Sequence, residues 1–311
     1  MSVLSLPYWK TFSIHGTLLN IKTNSMAAIK NFQQECGYFH APCSEKADFT
    51  VYAIDTSRAE DNIINRKSDE RSFLHIIDAN TSLTVDIDSK EALLCSVNAD
   101  SLPFFLWQVS ESLILALLRE KGIPCMHAAA IEKDGRGILF PAMTCSGKTT
   151  LTIEFVRSGY RFLADDLVFI NDNLDALCFP TRIGVTDYTL RRFADIISAE
   201  DLITVPYSYK RYFRLDSIFT GSIADRCRPE YILFPSPGKE TALKKAAKAD
   251  ALIRLIPSMY NDNELLSNYH RMTGFDKSAI FERAADLIDA TEQFELTLGE
   301  SGLMETIGQL I

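Results

Sequence analysis

The chain reads as an α/β protein with a β-rich N-terminal accessory region, and three observations carry that expectation. From about residue 125 onward, strand-like apolar runs alternate with helical ones, the pattern of α/β folds. Before that, the chain carries several short runs of β-branched or alternating apolar residues, the signature of strands. Between an apolar run at 137–140 and a helical pattern starting near Lys148 lies Ser146-Gly147-Lys148-Thr149-Thr150, the core of a phosphate-binding loop.

Taken in order, strands are expected at 12–21, 49–54, 73–77, 83–87 and 93–97, interrupted by a helix at 26–34. Leu106, Val109, Leu113, Leu117 and Leu118 recur at helical spacing and predict a helix over 103–121 with one buried face; Gly122 and Pro124 stop it. Its apolar run, 103–118, is broken by Gln108, Ser110, Glu111 and Ser112 and reads as too short and too polar to cross a bilayer. An Asp134-Gly135 pair between the runs 127–131 and 137–140 is a hairpin signal. After the loop helix, Gly159 breaks the pattern, and a strand is expected over 160–170 with Asp165-Asp166 in its middle. Helices follow at 187–197, 252–256, 279–288 and 304–310, with strands at 231–234 and 294–298. The expected division is a β-rich accessory region over 1–102 and a second domain over 103–311.

Composition narrows the function classes. The 311 residues are 47% hydrophobic and 23% charged, which fits a globular chain and excludes disorder. A net charge of −9 argues against non-specific binding to nucleic acid or to an anionic membrane. The seven cysteines (Cys36, Cys43, Cys95, Cys125, Cys145, Cys178 and Cys227) are scattered, without a paired spacing, so neither a zinc site nor a disulfide framework is expected. The first residues lack a charged start followed by an apolar core, so no secretory signal is read there and a cytoplasmic location is the default expectation.

The loop carries the chemistry. Thr144, Cys145, Ser146, Gly147, Lys148, Thr149 and Thr150 are expected to cradle phosphates: backbone N–H groups turn inward and a helix N-terminus adds its positive dipole end. Lys148 would reach the outer phosphates, and the Thr149 hydroxyl would hold Mg2+. One position departs from the pattern: Ala142 stands where a glycine is usual, and alanine is penalised wherever φ is positive. Cys145, near a helix N-terminus, reads as a small residue that fits, or as a thiol of lowered pKa. Asp165-Asp166, flanked by apolar residues, would be costly to bury uncompensated. On a strand the two would face opposite sides, one toward a metal and the other toward a substrate proton. His127 opens the strand before the loop. Lys210-Arg211-Tyr212-Phe213-Arg214 is the densest basic cluster, either a solvated edge strand or a cationic loop that neutralises a transferred phosphoryl group; Arg226 and Arg228 offer a weaker version. His270 and Arg271, in a polar stretch, read as surface.

The segments His127–Ile131, 137–140, 146–150 and Arg157-Ser158-Gly159-Tyr160-Arg161-Phe162-Leu163-Ala164-Asp165-Asp166 together resemble the catalytic domain of HPr kinase/phosphorylase, and more so the shorter HPr-kinase-related proteins. The likeness is specific over 125–171 and faint toward the C-terminus, where 294–299 looks like a late strand of these relatives. It implies a P-loop kinase core of the HPr kinase/PEP carboxykinase-like type. It implies a kinase that uses ATP and Mg2+ to phosphorylate a serine-type hydroxyl on a peptide, protein or small molecule. Carried over by position, Lys148 contacts the β- and γ-phosphates, and Thr149 with Asp166 holds the metal. Asp165 is the general base, assisted by Asp166 and His127, with the division of labour between the aspartates left open. The later glycine-rich signature of HPr kinase proper is absent, so neither reverse phosphorylase activity nor HPr as substrate is implied. Relatives are often oligomeric, which adds a homo-oligomer to the expected partners. The alternative readings are a nucleotide-binding ATPase or regulatory module without a dedicated acceptor, and a scaffold that has kept only the fold.

Overall fold

The structure is a computed structural model that describes residues 6–57, 71–141, 146–205, 210–260, 262–299, 301–308 and 310. Ala142, Thr144 and Cys145 therefore lie outside the described residues. It is a mixed α/β protein with several sheets, divided into two compact units. The first comprises Met1–Glu120, Val205–Tyr209 and Asp262–Phe275, and the second comprises Lys121–Thr204, Lys210–Asn261 and Asp276–Ile311.

The first unit opens with β1 (Tyr8–Ile14), β2 (Thr17–Thr23) and α1 (Met26–Cys36), followed by β3 (His40–Ala41), β4 (Phe49–Asp55), β5 (Ser72–Asp78), β6 (Thr81–Asp86) and β7 (Glu91–Ser96). The strands form one sheet in the order β3-β1-β2-β4-β7-β6-β5. The single strand expected over 12–21 is a hairpin, because His15 and Gly16 both take left-handed φ (48° and 80°) and close a two-residue turn. β4 runs parallel to both β2 and β7. Helix α1 starts where the Ser25 side chain accepts from Ala28 N, and its Phe32 meets Phe12 of β1 edge to face at 4.7 Å.

Helix α2 (Leu102–Glu120) belongs to this unit, so the units divide at residue 120 rather than 102. The physical reason is its long apolar face, Leu102 to Leu118, which packs against α1 and the sheet. Among the described residues it is the one helix long and apolar enough to cross a membrane, with mean hydropathy 1.3, so the expectation that this run is too short and too polar does not hold. Its apolar surface is instead used for packing, with 67% buried inside the protein.

The second unit begins with β8 (Cys125–Lys133), β9 (Arg136–Pro141), α3 (Lys148–Arg157), β10 (Arg161–Ala164), β11 (Leu167–Ile170), β12 (Ala176–Leu177), β13 (Ile183–Val185) and α4 (Asp187–Arg192). It continues with β14 (Ile203–Thr204), β15 (Arg211–Phe213), α5 (Leu215–Ile218), β16 (Arg226–Pro237), β17 (Ala242–Lys245) and α6 (Lys248–Met259). Helix α7 (Glu264–Thr273) returns to the first unit, and α8 (Ser278–Ala290), β18 (Glu292–Leu298) and α9 (Leu303–Ile307) complete the second. The main sheet runs β10-β8-β11-β12-β16-β18-β17, with β9 pairing β8 and β16. The β8–β9 turn is the one expected: Asp134 and Gly135 have φ of 54° and 84°, the geometry a tight hairpin requires. Phe140 of β9, Leu151 and Phe155 of α3, Leu233 of β16 and Leu296 of β18 share one core and fix the loop helix against the sheet. The other face of α3, Ile153 and Val156, packs on Phe162, Phe193, Ile197 and Phe213. The helix expected over 187–197 stops at Arg192, and Phe193 and Ile197 turn into that second core.

The stretch read as polar surface is α7. Leu265, Leu266 and Tyr269 bury one side of it, and His270 is only 3% exposed, so its surface assignment is corrected; Arg271 is exposed as expected. Asn263 caps the helix through Leu266 N and donates to Ser112 of α2 at 2.7 Å. Beside it, Asp262 pairs with Arg119, whose side chain is 1% exposed. Breaking a buried pair strands the remaining charge, so Arg119→Met is expected to cost about 3–5 kcal/mol in urea unfolding, with the loss reduced by the added change Asp262→Asn.

Candidate phosphate-loop and carboxylate site

The site is built where β9, α3 and the β10–β11 segment meet. Gly147 precedes α3 with φ 97° and ψ 8°, and no side chain caps the helix start. A methyl at Gly147 would lie 2.6 Å from Leu298 Cδ1 at the end of β18, a side-chain tip that can turn aside, so position 147 needs glycine above all for its backbone angle. The Ser146 hydroxyl is buried and has no hydrogen-bond partner among the described residues, and Lys148 is 6% exposed. An orphaned buried hydroxyl, a buried cation and an open helix N-terminus together form a donor-rich lining, and they fit phosphate oxygens.

The expected strand over 160–170 is two strands, β10 and β11, separated at Asp165-Asp166. Both pair antiparallel with β8, and the register slips by one residue between Phe162 and Ala164. Ala128 N still donates to Asp166 O at 3.1 Å, so the backbone stays tied to β8 through the bend. The two carboxylates have different partners. Asp165, 5% exposed, accepts from Thr149 Oγ1 at 2.7 Å and from Thr152 Oγ1 at 3.0 Å, both on α3. The Asp166 side chain is 56% exposed, and its Oδ1 lies 3.7 Å from His127 Nε2.

Their electrostatics diverge too. Burial, with the charge of Asp166, pushes the Asp165 carboxyl up to about 6, against the opposing hydrogen bonds of Thr149 and Thr152 and the charge of Lys148. Partial desolvation pushes the open Asp166 the same way, but the hydrogen bond and charge of His127, with Lys148 and Lys210, outweigh it and hold the group below the usual carboxylate range. A carboxyl at about 6 in the folded protein but about 3.9 unfolded binds more protons folded than unfolded between those values. Its contribution to stability therefore falls as pH rises from about 4 to 6. Asp165→Asn is expected to flatten that pH window, read by thermal unfolding across pH.

Ser146, Gly147, Lys148, Thr149, Asp165, Asp166 and His127 thus gather in one place, and Thr150 follows in the first turn of α3. Thr152 is an addition, and its signal was available: Thr149 and Thr152 stand three apart, on one helix face. Leu298 became visible only in three dimensions. The basic cluster is not an edge strand, since β15 is the middle strand of β13-β15-β14. Arg211 pairs with Asp187, and Arg214 with Asp216 at 2.8 Å. Arg228 bonds the Asn173 carbonyl, and Arg226 is exposed. Among the described residues no cluster of three or more His, Cys, Asp or Glu could hold a metal. A metal here would rest on Thr149, one carboxylate and phosphate oxygens.

No family model and no curated protein matches the chain. Among solved structures it is similar to the Hpr(Ser) kinase/phosphatase from Coxiella burnetii, at 12% sequence identity and a TM-score of 0.30, over 60% of this chain and 92% of that chain. That is a distant structural similarity.

Proposed function

We propose that this chain is an ATP-dependent kinase that transfers the γ-phosphoryl group to a hydroxyl acceptor on a peptide, protein or small molecule. The observation that carries the reading is the split carboxylate pair: Asp165 is buried against Thr149 at the start of the loop helix, and Asp166 is open and held beside His127. Ser146, the backbone at Gly147 and Lys148 bind the phosphates. Thr149 and Asp165 stand on the metal side, where Mg2+ would neutralise phosphate charge. A base must be reached by its substrate, and Asp166 is the accessible carboxylate. The division of roles favoured by the geometry therefore reverses the expected one, with Asp166 as base and Asp165 as metal support. The acceptor oxygen attacks the γ-phosphorus, the bond to the β-phosphate oxygen breaks, ADP leaves and the hydroxyl proton passes to Asp166. His127 orients Asp166 and keeps it ionised.

The test is γ-labelled ATP with Mg2+ and hydroxyl-bearing candidate acceptors. Label in an acceptor supports the kinase. ATP turned over to phosphate with no labelled acceptor favours an ATPase or regulatory module, and absence of nucleotide binding by calorimetry leaves only a scaffold.

A further inference from the structure

Helix α3 buries Leu151, Ile153, Phe155 and Val156 in two apolar cores, and among them it also buries Thr152, at 0% exposure. A hydroxyl placed among apolar side chains needs a partner. Two acceptors lie within reach: Lys148 O one turn back at 3.1 Å, and Asp165 Oδ1 at 3.0 Å. The first is a bond any helical serine or threonine can make to its own backbone. The second ties α3 to the break between β10 and β11, where Asp165 lies outside either strand. The Thr149 hydroxyl donates to the other carboxylate oxygen, Oδ2, at 2.7 Å. A carboxylate torsion is soft, with broad wells, so one hydroxyl would leave the group free to turn about that contact. Two hydroxyls from one helix, one on each oxygen, fix its plane. Thr149 is itself assigned to the metal in the reading above, so Thr152 is the donor with no other task at the site.

We infer that Thr152 is a positioning residue of the phosphate site: its buried hydroxyl holds the Asp165 carboxylate in the orientation in which it supports Mg2+ beside a bound nucleotide. The inference rests on the reading of Asp165 as metal support. Thr152 acts through Asp165 and needs no contact with nucleotide or acceptor. Partners that orient a metal-supporting carboxylate set how well the metal is held, and their loss is felt as weaker metal affinity. Valine at 152 keeps the branched shape and removes the donor. Serine keeps the donor and removes only a methyl.

Calorimetric titration of the full chain with a non-hydrolysable ATP analogue, with and without Mg2+, tests it. Thr152→Val is expected to cut the gain in affinity that Mg2+ confers about tenfold, and to leave metal-free affinity within about twofold. Thr152→Ser should retain most of the gain. In an Asp165→Asn background the valine change should have no further effect on the gain, because the charge it acts through is gone. Should valine unfold the chain, Thr152→Ala removes the same hydroxyl with less bulk and is read in the same way. An undiminished gain, equal weakening with and without metal, or losses that add to those of Asp165→Asn would overturn the inference and leave the phosphate site standing. An unaltered protein that binds the analogue without responding to Mg2+ would overturn the metal-support reading of Asp165, and this inference with it.

Discussion

Asp166→Asn is expected to lower phosphoryl transfer by about 10²–10⁴-fold, the range supplied by a positioned general base, while Mg-ATP still binds. The amide keeps the shape of the side chain and its place beside His127 but cannot accept the acceptor proton. Asp165→Asn is expected to fail differently. Its oxygen can still receive the Thr149 hydroxyl, so the loop stays formed, but the charge that would support a metal is gone. The loss should then appear as weaker Mg2+ dependence of nucleotide binding as well as slower transfer. Single-turnover transfer rates and metal titrations on both variants separate the two. Binding and metal dependence lost in Asp166→Asn, with transfer lost alone in Asp165→Asn, would restore the opposite assignment of base and metal support.

Gly147→Ala is the second large effect. A non-glycine residue held in the left-handed region costs about 1–3 kcal/mol, and the added methyl would also overlap Leu298, whose Cδ1 would lie 2.6 Å away. The Leu298 tip can turn aside at modest cost, but relief of the backbone strain means abandoning the loop conformation, so nucleotide affinity is expected to fall about 10–100-fold with little change in overall folding. Calorimetry and circular dichroism measure the two quantities. The combination Gly147→Ala with Leu298→Ala removes the overlap but not the backbone strain. It should recover part of the affinity, and the part recovered measures the steric share.

Much of the site was legible because its parts are close together in sequence. The hairpin turn at Asp134-Gly135, the loop from Ser146 to Thr149 and the aspartate pair all carry local chemistry that constrains the backbone where it occurs. The roles of the aspartates were not legible. They depend on where α3 and β8 lie relative to a bend in the strand, and a one-residue register slip between Phe162 and Ala164 is invisible to side-chain alternation. In the first unit the strands could be read from their apolar runs, but not the turn inside the first of them. Helix α7 was missed because only Leu265, Leu266 and Tyr269 mark its buried side, in a segment otherwise rich in polar residues.

The pairing of Arg119 with Asp262 joins residues 143 positions apart. Because α7 belongs to the unit that α2 nearly completes, order along the chain and order of completion differ. At about 5–20 residues per second, a nascent chain that has just exposed Arg119 waits roughly 7–30 s before its partner is made. Throughout that interval the apolar surface of α2 that α7 will cover is open, beside a charge with no counterion. The segment in between cannot finish its own sheet either, because β18, which joins β16 to β17, follows α7 in the chain. A ribosome stalled between Glu120 and Asp262 is thus expected to carry a first unit prone to capture by chaperones.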